Sequence, residues 1–110
     1  MQFNIGFIAA ALLVAASPAM GATFIFYAGA DCTGAKVSVA DNVPPLDCIF
    51  IPNGGSAKSI GYSGVTTQIE FYESGGGHDK CTNGATGTGG PGSGCGTAPA
   101  GVNYESAYYF

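Results

Sequence analysis

The side chains with the most chemistry to offer are four cysteines, Cys32, Cys48, Cys81 and Cys95. An even number in a short exported chain predicts disulfides. Four thiolates could instead hold a structural zinc ion, but such sites draw on closely spaced Cys-x-x-Cys pairs, and the chain has none. Its one histidine, His78, lies in the polar run Gly77-His78-Asp79-Lys80. Nucleophilic catalysis would require that imidazole to meet an activated Ser or Cys. With the cysteines oxidised and no serine in an elbow motif, His78 reads as a surface turn residue. Glu70 and Glu73 could form a carboxylate pair of the glycosidase kind, yet they flank Phe71-Tyr72 and read as a strand-face and a turn residue. Gly75-Gly76-Gly77 and the glycines from Gly84 to Gly96 are followed by neither a helix nor the Lys of a phosphate-binding loop. The sequence therefore predicts no catalytic residue, no cofactor and no enzyme.

Charge narrows the partners. Seven acids face three lysines, Lys36, Lys58 and Lys80, for a net charge of −4. Nucleic acid and anionic membrane surfaces call for clustered Lys and Arg, so neither is expected to bind. Tyr62, Tyr104, Tyr108 and Tyr109 read as core or rim residues, and would form a recognition patch only if exposed together.

The elements that must position these residues begin after a leader. Residues 1–21 combine a short polar start, the apolar run Ile5–Ala16, the break Ser17-Pro18 and the small-residue site Ala19-Met20-Gly21. That is the pattern of a secretory signal peptide. The run is too short to span a bilayer, which takes about 20 residues, so no membrane span is expected and the protein is predicted to be secreted. Residues 22–110 then form one domain. Domains of this size are marginal without staples, and a disulfide contributes about 3 kcal/mol in the chain-entropy account.

Phe24–Tyr27, Lys36–Ala40 and Thr66–Tyr72 carry the aromatic, β-branched and alternating patterns of half-buried strands. Turn residues separate them: Asp41-Asn42, Pro44-Pro45, Pro52-Asn53-Gly54-Gly55 and Gly75-Gly76-Gly77. No helical period follows the leader, and short strands between Gly/Pro turns predict an all-β sandwich or barrel. Thr82–Gly101 is nearly all Gly, Thr, Ser, Ala and Pro. It reads as a surface insertion pinned by Cys95.

The chain also repeats itself. Phe26-Tyr27 matches Phe71-Tyr72, Cys32 matches Cys81, Cys48 matches Cys95 and Ser59 matches Ser106, in order and at nearly constant offset. A sustained offset implies two copies of one supersecondary unit, about 22–62 and 66–110. If each copy closes on itself, the pairing Cys32–Cys48 and Cys81–Cys95 follows by symmetry.

These landmarks resemble the βγ-crystallin Greek-key motif, in which an aromatic strand leads into a folded hairpin with a Gly and a later Ser packs under that hairpin. The matching residues are Phe26, Tyr27, Gly34 and Ser59 in the first copy, and Phe71, Tyr72, Gly84 and Ser106 in the second. The resemblance implies two Greek-key repeats forming a disulfide-stapled βγ-crystallin-like sandwich. Many members bind calcium through paired Asn or Asp residues before a Ser/Thr-Ser. Here those stretches are Gly54-Gly55-Ser56-Ala57-Lys58-Ser59 and Gly101-Val102-Asn103-Tyr104-Glu105-Ser106. Calcium needs six or more oxygen ligands, so tight calcium binding and a metal site are not expected. The secreted, cysteine-rich form is similar to fungal effectors and killer toxins, which implies a virulence or antagonism role through an extracellular or host target. The alternatives are an inhibitor of an extracellular protease, built on the 82–101 segment, or a structural cell-wall or spore-coat protein.

Overall fold

The computed structural model describes residues 21–75, 79–82 and 84–110. Residues 1–20 of the predicted leader, with Gly76, Gly77, His78 and Asn83, lie outside the described residues. Among the described residues eight strands follow one another: β1 (Ala22–Tyr27), β2 (Lys36–Val43), β3 (Asp47–Phe50), β4 (Ser59–Val65), β5 (Ile69–Glu73), β6 (Gly87–Gly89), β7 (Gly92–Thr97) and β8 (Tyr104–Tyr109). Two single 3-10 turns, Ala30–Cys32 and Pro52–Gly54, complete the described elements.

The strands form two antiparallel sheets, ordered β2-β1-β4-β7 and β3-β8-β5-β6. Alternation explains why each strand has an inner face. In β1, Ala22, Phe24 and Phe26 are buried while Thr23, Ile25 and Tyr27 are half-buried. In β5, Ile69 and Phe71 turn inward and Glu70 outward. Phe24, Phe26 and Ile60 of the first sheet meet Ile49, Ile69, Phe71, Ala107 and Tyr109 of the second in one apolar layer. The Phe24 and Tyr109 rings meet across that layer at 5.9 Å.

The order of strands is the central architectural fact. The first half of the chain supplies β1 to β4 and the second β5 to β8, but the halves do not keep their own third strands. β3 pairs with β8 in the second sheet, and β7 pairs with β4 in the first. Each half thus completes the sheet of the other.

This exchange corrects the disulfide pairing expected from self-contained repeats. The bonds are Cys32–Cys95 and Cys48–Cys81, with Cα–Cα distances of 6.2 and 6.1 Å, not Cys32–Cys48 and Cys81–Cys95. Cys95 rides on the migrated β7, opposite Gly61 of β4, and so reaches Cys32. Cys48 rides on the migrated β3, opposite Tyr108 of β8, and so reaches Cys81. The loops are therefore long and nested, spanning 63 and 33 residues, and closing the outer one alone is worth about 4 kcal/mol in the chain-entropy account.

A second correction concerns Thr82–Gly101. It is not a surface insertion. It holds β6 and β7, one in each sheet, joined through Gly90-Pro91. A Cβ at Gly96 would overlap the Phe71 ring, and one at Gly94 would overlap the Tyr62 hydroxyl. These glycines are bare because aromatic rings from other strands occupy the space beside them. Phe71 is fully buried and has nowhere to retreat.

The serines do equivalent work in the two halves. Ser59 Oγ accepts the Cys32 amide at 2.8 Å and donates to the Gly29 carbonyl at 2.6 Å. Ser106 Oγ accepts the Cys81 amide at 3.0 Å. Both serines are fully buried. Each fastens the hairpin that follows an aromatic strand, and each hairpin turns at a glycine with positive φ, Gly34 at 84° and Gly84 at 85°, a conformation costly for residues with a Cβ.

Two measurements check this account. Gly96→Ala should destabilise the domain by on the order of 2 kcal/mol through overpacking, against no measurable change for Ser93→Ala on the exposed side of the same strand. Ser59→Ala leaves the Cys32 amide and Gly29 carbonyl without their partner and should cost about 2 kcal/mol. Denaturant unfolding of the oxidised proteins gives both values.

Candidate functional site

The outer face of the second sheet gathers polar and aromatic groups at one corner. Ile49 and Ile51 of the β3 segment point into the core, so Phe50 between them points out and stays 41% exposed. The hairpin after β5 folds back over this face, held by Cys48–Cys81 and by Ser106. It brings Lys80 over the Phe50 ring, with Nζ 5.2 Å from the centroid, a cation–π contact. Phe50, Ile51, Pro52, Asp79, Lys80 and Glu105 line a cleft of about 320 Å³.

Glu105 is the unusual member. It precedes the pinning Ser106 and is only 4% exposed. Its side chain shares a hydrogen bond with Asp79, and burial first, then the Asp79 charge and that hydrogen bond, push its pKa up from the ordinary 4.5. A second carboxyl beside a buried one disfavours its charged form, which is the direction of the Glu105 shift. Asp79 in turn accepts the Gly75 amide at 2.7 Å, which ties the hairpin to the pair.

The matching position in the first half is Lys58, which precedes Ser59. Its half-buried side chain donates to the main-chain carbonyls of Pro99 at 2.8 Å and Val102 at 3.1 Å. Between the two positions, Ala57 and Tyr104 exchange main-chain hydrogen bonds at 2.8 and 2.7 Å. One structural position thus carries a cation in one half and a carboxyl in the other. Two carbonyl oxygens that could face a bound cation face the chain's own ammonium instead.

The residues singled out from the sequence fall as follows. All four cysteines are in disulfides. Glu70 accepts the Tyr72 hydroxyl at 3.1 Å on the outer face of the second sheet, and Glu73 closes β5. The Tyr72 hydroxyl is held above its ordinary pKa by burial and by that carboxylate. Tyr104 and Tyr109 are buried, whereas Tyr62 and Tyr108 are half-buried, so the four tyrosines form no common patch. Tyr104 stacks on Phe71 at 5.2 Å. Tyr108 instead meets the exposed Phe110 edge-on at 4.9 Å. Among the described residues, no three His, Cys, Asp or Glu side chains gather as a metal-binding group, and no helix is long and apolar enough to cross a membrane.

Sequence reasoning missed Phe50 with Lys80, and Asp79 with Glu105. The alternation Ile49-Phe50-Ile51 was a signal for an outward phenylalanine. The carboxyl pair had none, because the hairpin that brings Asp79 to Glu105 is folded by contacts remote in sequence.

The corner can present an ammonium and an aromatic edge to a partner's polar side chain. Because folded Glu105 holds its proton more tightly than the unfolded chain does, the native state binds more protons once pH exceeds about 4.5. Stability should therefore fall as pH rises from there until the folded group has titrated. Glu105→Gln keeps a donor for Asp79 and removes the charge. It should flatten that fall and raise stability at neutral pH, as followed by thermal unfolding across the acid-to-neutral range. No protein-family model, curated protein or solved structure matches this chain.

Proposed function

We propose that the chain is a small secreted, non-catalytic interaction protein with a βγ-crystallin-like Greek-key sandwich, an effector or toxin acting on a host or competitor cell through its surface. The Greek-key reading is supported by the exchanged third strands, by the serine beneath each hairpin and by the positive-φ glycine in each. Two disulfides belong to a chain that matures in an oxidising compartment, which supports export.

The observation that carries the surface reading is the Phe50–Lys80 corner. A large aromatic ring left 41% exposed, with an ammonium over it and a cleft beside it, is the kind of group that dominates binding energy at interfaces. Residues 79–81, which include Lys80, are held by a disulfide and a buried serine at Cys81, so little of their conformational freedom is lost when a partner docks. The inhibitor reading loses its motive, since the segment meant to mimic substrate is held in two strands.

The test applies oxidised 22–110 to plant and microbial cells and scores cell death, growth inhibition and immune output. A response is expected, and Phe50→Ala with Lys80→Ala should reduce it at least about tenfold, the loss typical of a truncated hot spot, while leaving the unfolding midpoint nearly unchanged. Silence across hosts and microbes would remove the effector reading. Full activity in the double variant would place the recognition surface elsewhere.

A further inference from the structure

The two disulfides stand in different surroundings. Cys48 and Cys81 are both half-buried, whereas Cys95 is exposed and Cys32 half-buried. Cys32 and Cys95 also line an open groove of about 290 Å³ on the outer face of the first sheet, with Ile25, Tyr27 and Gly61 as neighbours. Gly61 sets that access. A Cβ there would come within 3.2 Å of both Cys32 Sγ and the Tyr27 ring, so the bare glycine leaves the sulfurs uncovered from that side.

The strand behind the bond is equally unusual. β7, Gly-Ser-Gly-Cys-Gly-Thr, is an edge strand among the described residues, paired with β4. It contributes no large side chain to the core. Instead Gly94 and Gly96 lie against Tyr62 and Phe71 and cover them. Glycines lose the most backbone freedom on ordering, so β7 has a large entropic reason to leave and little apolar burial to hold it. Cys95 is its covalent anchor.

We propose that Cys32–Cys95 is a thiol-exchange site, at which a dithiol reductant releases β7 and uncovers Tyr62 and Phe71 while Cys48–Cys81 keeps the rest of the domain joined. One thiolate of the reductant attacks Cys95 Sγ from the groove. The bond from reductant sulfur to Cys95 forms, the Cys32–Cys95 bond breaks, and the electron pair leaves on Cys32, which takes a proton from water. The second thiolate then attacks the reductant sulfur of this mixed disulfide and displaces Cys95 as thiolate. The reductant ends as a cyclic disulfide, having delivered two electrons. The rate of such exchange depends on access to the attacked sulfur, which is the property that separates the two bonds.

The surviving bond keeps the product folded. Cys48–Cys81 lies inside the outer loop and ties β3 of the first half to the hairpin of the second. The sheet β3-β8-β5-β6 retains all its strands. The product is a domain open at one edge, with two aromatic rings newly in water.

The experiment titrates oxidised 22–110 with dithiothreitol, traps free thiols with N-ethylmaleimide and maps them by peptide mass, with amide hydrogen exchange on the same samples. Cys32 and Cys95 should be alkylated at a dose at least about tenfold below that needed for Cys48 and Cys81. Amides of 92–97 should lose protection while those of 104–109 keep it. A Cys32→Ser/Cys95→Ser variant should show the same exchange pattern without reductant and bind an apolar dye. Alkylation of Cys48 and Cys81 first, loss of both bonds together, or a β7 that stays protected after Cys95 is alkylated would each overturn the proposal. The titration decides the matter even if the double variant does not fold.

Discussion

Each sheet of this protein lacks a strand until the other half of the chain supplies it. β3 leaves the first half for the second sheet, and β7 makes the opposite crossing. A three-stranded sheet presents unpaired amides and carbonyls along its edges, and here the exchanged strand pairs one edge of each sheet, β4 in the first and β8 in the second. Both disulfides follow from this, since a cysteine on a migrated strand can only meet one in the other half. So does the single core, in which Phe24 and Phe26 of one sheet pack on Phe71 and Tyr109 of the other. The halves are related by sequence, but neither is a unit of stability.

Around that exchange the matching positions of the two halves differ in charge. The residue before each pinning serine sits beside the Ala57–Tyr104 main-chain pair. In one half it is a lysine, whose ammonium is satisfied by two carbonyls. In the other it is a glutamate, buried against Asp79. A buried carboxyl requires a partner or a proton, and burial together with Asp79 raises the pKa of Glu105. The hairpin that supplies Asp79 also supplies Lys80. Its position is therefore set from three sides, by the disulfide, by Ser106 and by the carboxyl pair.

Much of the local structure could be read from the chain. Strand β1 announces itself by its aromatic and β-branched run and β5 by alternation, whereas β2 alternates with its valines outward, Val37 and Val39 being exposed; the recurrence of Phe-Tyr, Cys and Ser marks matching places that the structure equips alike. The disulfide pairing could not be read by the same logic. Symmetry between copies constrains which positions are equivalent, not whether a strand stays with its own copy. The glycines of β6 and β7 misled for a related reason. A glycine needed because Phe71 or Tyr62 lies beside it looks the same, in sequence, as a glycine in a loop. Its cause sits far along the chain (Phe71 with Gly96, Tyr62 with Gly94) and becomes visible only when the sheets are assembled. Phe50 lies between these cases, because its outward direction was written in the alternation of Ile49 and Ile51.

The strand exchange has a counterpart in time. A hairpin such as β1–β2 can form from neighbouring residues, but β4 finds its outer partner only when β7 has arrived, and β3 finds β8 only near the end of the chain. Most of what makes either sheet whole is therefore non-local, and loop-closure entropy must be met before those contacts repay it. Non-local pairing of this kind couples the two halves in folding, because neither sheet is whole before the other half supplies its strand.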